Sequence, residues 1–180
     1  MVYLSSAGIR DLTKYKICKL VFLADKYHLV RFGRPITGER LCAMENGPVP
    51  SETLNLMNAL IQDSFKDDRV AAMSRHLVLD RAYSNPRFSL RQELPLEEFL
   101  SASDLTSLEI TVAAHGHKSF DELKALTHEM PAYKRAWQGR ENQAPTIGYE
   151  DLFLEDSDAI EGALQEMIED DDLRKAFGVL

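Results

Sequence analysis

This chain has few of the residues and spacings that announce chemistry. Among its 180 residues there are two cysteines, Cys18 and Cys42. Each sits in an apolar stretch and neither belongs to a metal-type pair, so they read as small buried hydrophobes, without a disulfide framework or zinc site. No apolar run reaches the length needed to span a bilayer, and no secretory leader precedes the first charges. The expectation is a cytoplasmic protein with no membrane partner. Gly33, Gly38 and Gly47 are not followed by the Lys-Ser/Thr or glycine spacing of nucleotide loops. No motif joins a nucleophile to a base. The sequence therefore predicts no catalytic set, no metal and no cofactor.

Excess positive charge is also missing. The net charge is −8. It is unevenly spread: residues 1–149 are close to neutral, whereas residues 150–180 carry 11 Asp+Glu against 2 Lys+Arg. General nucleic-acid affinity needs Lys and Arg to release phosphate counterions, and this balance argues against it. A neutral body with an acidic tail suggests an interaction segment instead. The length suits one domain with an appendage, and 44% apolar with 28% charged residues is ordinary for a soluble globule. The organisation read from the chain is a domain at 1–141, followed by a linker and acidic amphipathic segment at 142–180.

What is present is mostly helical pattern. Residues 9–31 read as a helix with Lys16, Lys19 and Lys26 on one edge and Ile17, Leu20, Val21 and Ala24 on the other side. Gly33 stops it and Pro35 blocks continuation. Leu41–Glu45 is short, strand or extended loop. Gly47-Pro48-Val49-Pro50 reads as a turn, after which Ser51 caps a helix near 52–64. Residues 76–81 and 87–91 flank Ser84-Asn85-Pro86 as a β-hairpin. Pro95 opens a helical stretch, Ser103 caps a helix at 104–115, Ser119 and Glu122 form a capping box for 120–129, and Pro131 begins another helix that ends at Gly139. Asn142–Gly148 reads as a polar linker. In the tail, Ile160, Ala163, Leu164, Met167 and Ile168 recur at helical spacing. The fold class is mostly α with a small β-hairpin, built around a central buried N-terminal helix, with an acidic C-terminal helix.

Asp25 and His28 are the sharpest puzzle. The wheel puts both opposite the lysine edge, near Ile17 and Val21. A carboxylate on a core face costs several kcal/mol unless it is paired or hydrogen-bonded. Arg34, Thr37 and the backbone N–H groups of the two turns are the partners nearest in sequence. Three readings stay open: a satisfied network that pins the turns to the helix, a polar site at a cleft, or half a metal site. The pair alone is too little for zinc. His115 and His117 sit at a helix end, where the dipole favours them. His128 is either another helix-end histidine or a cleft residue. Arg69, Arg75, Arg81, Arg87 and Arg91 make the hairpin region basic, with Asp80 as the one acid between 69 and 91. The hairpin reads as a solvated edge protected by charge, a partner surface, a DNA contact in winged-helix order, or a face masked by the acidic tail.

These pieces, taken in order, resemble the Panacea (SocA-like) domain of bacterial and phage antitoxins. The likeness spans about residues 14–138. It rests on Lys19-Leu20-x-x-Leu23-Ala24-Asp25-x-x-His28-Leu29, on Gly33-Arg34-Pro35-Ile36-Thr37-Gly38, on Ala43 four residues before Gly47-Pro48-Val49-Pro50, and on Thr127-His128 shortly before Pro131-Ala132. Leu41 stands where the family often has an aromatic residue, and Tyr133 where Trp is common. The resemblance implies a non-enzymatic antitoxin that neutralises a cognate toxin by direct binding. Asp25, His28, Gly33, Pro35, Thr37, Gly38, Gly47, Pro48, Pro50 and His128 would build the shared scaffold or groove. Phe153, Ile160, Leu164, Met167 and Ile168 of the tail, with Arg87 and Arg91 of the hairpin, are the expected toxin contacts. The alternatives are an adaptor that delivers the toxin to a protease, a DNA-binding autoregulator using the hairpin, and a hydrolase in which Asp25, His28 and His128 converge.

Overall fold

Why one helix can be wrapped on every side is the central question of this fold. The computed structural model describes residues 1–64, 67–139 and 143–153. A short helix α1 (Val2–Ser6), absent from the sequence reading, buries Leu4. The central helix α2 (Lys14–Phe32) starts five residues later than the apolar pattern suggests, because the Thr13 side chain accepts from the Lys16 N–H and caps it. It ends where expected: Gly33 takes the left-handed conformation at φ 75° and its N–H bonds to Leu29 O. The lysine edge is as buried as the apolar side. Lys16, Lys19 and Lys26 are all buried, as are Ile17, Leu20, Phe22 and Ala24 on the other sides. Backbone carbonyls make this tolerable: Lys16 Nζ donates to Arg10 O at 3.0 Å and Lys19 Nζ to Pro48 O at 2.8 Å.

Two small sheets flank the helix. β1 (Leu41–Met44) lies between β2 (Gly47–Pro50) and β5 (Thr146–Ile147), antiparallel to both. Gly47–Pro50 is thus a strand rather than a simple turn. It is an edge strand, the place where a sheet accepts prolines that lack a donor. The stretch read as a polar linker likewise supplies β5, with Ile147 opposite Leu41 and buried. Helix α8 (Tyr149–Phe153) follows and buries Leu152 against α2. The predicted hairpin is present as β3 (Leu77–Asp80) and β4 (Arg87–Leu90), in register Leu79 to Phe88.

Helix α3 (Ser51–Ile61) begins at Ser51 itself, with Pro50 in the capping position and no side-chain cap. Glu39 takes over the N-terminal donors there, accepting from the Thr53 N–H at 2.7 Å and its hydroxyl at 2.6 Å. Helix α4 (Asp68–His76), which the sequence reading did not contain, is capped by Asp67. The region after Pro95 is a single 3-10 turn, Leu96–Glu98. Helix α5 (Ala102–His115) is capped by Ser101, not Ser103, through a capping box with Asp104. Helices α6 (Phe120–His128), with its Ser119–Glu122 box, and α7 (Pro131–Gln138), with Pro at its first position, agree with expectation. Ile160, Leu164, Met167, Ile168 and the side chain of Phe153 lie outside the described residues.

Candidate functional site

Two polar clusters hang from α2, one near each half of the helix. At the C-terminal half, Asp25 is 0% exposed. Its Oδ1 accepts from the Ile36 N–H at 2.9 Å and the Thr37 N–H at 2.8 Å, and Oδ2 accepts a short bond from the Thr37 hydroxyl. Burial pushes its carboxyl above the ordinary aspartate value, opposed by these bonds. Gly33 (φ 75°) and Gly38 (φ 65°) turn the chain at either end of this loop, and Pro35 stiffens it. Arg34, one candidate partner for Asp25, goes elsewhere. Its Nη2 reaches Asp104 Oδ1 at 2.8 Å and Ser101 Oγ at 3.2 Å.

His28 completes the fastening of this loop. Its Nδ1 meets Arg34 O at 2.6 Å, so Nδ1 carries the proton and donates. Its Nε2 lies 3.1 Å from both Ser103 Oγ and Asp104 Oδ1. Burial alone would raise the Asp104 carboxyl, but hydrogen bonds from Ser101 and Arg34 carry it below the usual value. The arrangement joins α2, the 33–38 loop and the start of α5 without leaving a ring nitrogen or carboxylate oxygen aimed at open space. Of the three readings of Asp25 and His28, the geometry is that of the satisfied network. Among the described residues no group of three or more His, Cys, Asp or Glu could hold a metal ion.

At the N-terminal half of α2 lies a second cluster. Gly47 (φ 95°) opens β2, and a Cβ there would fall 2.5 Å from Lys19 Nζ, 2.9 Å from His128 Cδ2 and 3.0 Å from Thr127 Oγ1. Three side chains from α2 and α6 therefore converge on one glycine. The His128 ring packs on Tyr133 at 4.6 Å between centroids, and Tyr133 donates from its hydroxyl to Met44 O at 2.9 Å. Burial first, then Lys19 and Lys124, hold His128 below the ordinary histidine value. Among the described residues Asp25 bonds to Ile36 and Thr37, whereas His128 packs on Tyr133 beside Gly47, so the hydrogen bonds of Asp25 do not join it to His128 in the hydrolase arrangement. The Cys18 thiol is pushed up to about 12 by burial, which leaves it without nucleophilic character.

An apolar groove of about 280 Å³ runs beside the first cluster. Met1, Tyr3, Asp25, Thr37, Leu96 and Phe99 are among the residues that line it. Phe99 is 69% exposed, the most exposed large hydrophobic side chain described. Phe99 follows the 3-10 turn in a segment without apolar periodicity, which is why the sequence reading did not single it out.

The hairpin arginines are largely engaged. Arg87 pairs with Asp11 at 2.8 Å and lies over the Tyr83 ring at 3.5 Å. Arg81 pairs with Asp63, and Arg69 with Asp67 and Glu52. The acids come from outside the 69–91 window in all four of these pairs, which is why a local charge count made the region look bare. Arg91 is exposed beyond β4.

Residues 17–137 match the family described as antitoxin SocA-like, Panacea domain. The chain belongs to this antitoxin family. The matched span holds both polar clusters of this Panacea domain, but not Met1 and Tyr3 of the groove wall, nor β5 and α8. Among curated proteins and among solved structures nothing matches it significantly. Membership supports an antitoxin role in general and, with it, a toxin as partner. No helix described is long and apolar enough to cross a membrane.

Proposed function

We propose that this Panacea-domain protein neutralises its toxin by direct binding and catalyses nothing itself. One observation supports this above the others: the groove of about 280 Å³ with exposed Phe99 is also lined by Asp25 and Thr37, which are hydrogen-bonded to each other, so an apolar contact surface adjoins a fixed loop. An exposed aromatic at the lip of an apolar recess is the composition of a binding hot spot. Asp25 and His28, two of the residues that such catalysis would need, are instead engaged in holding the 33–38 loop. The acidic segment 150–180 adds the second element, covering a basic toxin surface and speeding encounter.

The test is rescue. The toxin is sought as the product of a neighbouring reading frame and co-expressed with this chain. Growth should return with the native protein and fail with Phe99→Glu, which leaves the fold intact because the side chain is solvated. Rescue by Phe99→Glu equal to native would refute the groove as the toxin site. Toxin lifetime, followed alongside, stays unchanged under plain inhibition; a shortened lifetime would establish the protease adaptor instead.

A further inference from the structure

Lys19 has an unusual situation for a buried cation. It is 1% exposed, and among the described residues its ammonium has one hydrogen bond, to Pro48 O. An ammonium carries three donors, so most of its bonding capacity is unspent. Lys16 has Asp11 and Glu122 nearby, whereas among the described residues the groups that act on Lys19 are the neutral Cys18 thiol and the Lys124 cation, with no carboxylate. Its pKa falls to about 7, through burial and then the Lys124 charge, only partly opposed by Cys18. Among the described residues no carboxylate serves as its counter-charge, a costly arrangement for a buried lysine unless something else supplies one.

The surroundings repeat the same imbalance. His128 Nε2 is buried and has no hydrogen-bond partner among the described residues. Lys124 reaches over to Asn46 Oδ1 at 2.8 Å, placing a second cation at the same turn. A recess of about 170 Å³ opens beside Lys19, lined by Lys19 and Asn46 with Tyr15, Val49, Leu54 and Phe120 as apolar residues; His128 and Lys124 are outside this lining and adjoin it, His128 next to Lys19 at Gly47 and Lys124 through Asn46. The one acid in its lining, Glu45, is exposed. Gly47 contributes by having no side chain, because a Cβ would strike the Lys19 ammonium.

We propose that the recess between α2, the 44–47 turn and α6 is a receptor for a carboxylate, with Lys19 as its counter-ion and His128 and Lys124 as supporting groups. The apolar walls favour a carboxylate carried on methylene groups over a bare inorganic anion. Within the antitoxin reading, on which the identity of the donor rests, the ligand is an acidic side chain or the C-terminal carboxylate of the toxin.

The site is measurable without any toxin. Isotope-labelled full chain at pH 7 and constant ionic strength is titrated with N-acetylglutamate α-amide, with N-acetylglycine and with inorganic phosphate, following the Lys19 and His128 side-chain resonances. The first probe mimics an acidic side chain and the second a chain terminus; whichever saturates identifies the source. Saturable shifts at both residues are expected, with the His128 titration moving upward as the carboxylate arrives. Lys19→Met, which keeps the stem, should weaken binding about tenfold or more, the scale of one lost charged hydrogen bond. Should that variant fail to fold, the exposed-side variant Lys124→Ala serves, with a weakening of several-fold. No saturable shift from either carboxylate, or shifts unchanged in both variants, would overturn the site. Equal response to phosphate would overturn the carboxylate assignment. Rescue of the toxin scores the antitoxin reading separately: a chain that rescues yet binds no carboxylate sinks this inference and leaves that reading intact.

Discussion

Replacing Asp25 by Ala and by Asn should separate a structural carboxylate from a chemical one. Asp25→Ala strands three donors at once, the N–H groups of Ile36 and Thr37 and the Thr37 hydroxyl. Each buried donor left unmade costs about 1–3 kcal/mol. The 33–38 loop is partly exposed and can recover some of those bonds with water, so a net loss of about 2–4 kcal/mol is expected. Asp25→Asn keeps the shape and one carbonyl oxygen, which still accepts from both N–H groups. Its amide can donate to the Thr37 oxygen, because a hydroxyl works in both directions. What it forfeits is charge assistance, worth about 1 kcal/mol, and it escapes the cost of burying an ion.

The pH profile carries a further sign. Burial raises the folded carboxyl above its unfolded value, so the folded state holds this proton more tightly. That contribution is full below the unfolded pKa and is lost as pH rises through the raised folded value. Asp25→Asn should erase that fall. Equilibrium denaturation in urea at matched m-values, repeated across pH, measures all of this. An Asn variant as damaged as the Ala variant would refute the latch, since only a role for the negative charge itself would make the two alike.

Other outcomes follow from the same geometry. Gly47→Ala should cost about 2–4 kcal/mol, from the left-handed backbone and the collision with Lys19, whereas Gly38→Ala, with open space around it, should cost about 1 kcal/mol for backbone strain alone; denaturation midpoints give the comparison. His115 is held neutral, its pKa lowered to about 4, first by burial and then by Lys118 and His117. The unfolded chain therefore takes up this proton first, and as pH falls from the ordinary histidine value towards about 4 the protein should lose roughly 2 kcal/mol through this group, allowing for partial solvent access; His115→Gln should flatten that part of the profile. A chain ending at Phe153 should keep its folded body yet associate with toxin about tenfold more slowly at low salt, with the difference shrinking as salt is added; identical rates would exclude a steering role for the acidic segment.

Much of the architecture is written in local signals, and the failures have particular causes. Gly33 with Pro35, the Ser119–Glu122 box and Pro131 each act within one turn of chain, and the boundaries they mark hold. The two prolines of β2 made a turn the natural reading; only the edge position in a sheet, set by β1 and β5, makes them acceptable in a strand. Lys16 and Lys19 look like a solvent edge because their carbonyl partners come from Arg10 and, 29 residues away, Pro48. Ser101 was legible in principle, since Ser101-x-x-Asp104 is a capping pattern of the same form as Ser119-x-x-Glu122. The recruitment of Asp104 by Arg34, 70 residues apart, was not. Phe99 and the groove depend on which irregular segments meet, and periodicity is silent about that.

The spacing of the family-pattern residues has a mechanical reason. Residues 33–50 are rich in Gly and Pro and contain little that would hold them in place alone. One end of this segment is fastened to α2 by Asp25 and His28, through Ile36, Thr37 and the Arg34 carbonyl. The other end is fastened by Lys19, through the Pro48 carbonyl, against Gly47. β1 is stretched between the two anchors and takes β5 as its second neighbour. Six residues separate Lys19 from Asp25, nearly two helical turns or about 9 Å along the axis, so the anchors are set by one rigid rod instead of by flexible loops. A segment held in this way presents the groove on one side and the Lys19 recess on the other as fixed surfaces. Fixed surfaces lose little entropy on association, which fits the binding role proposed above.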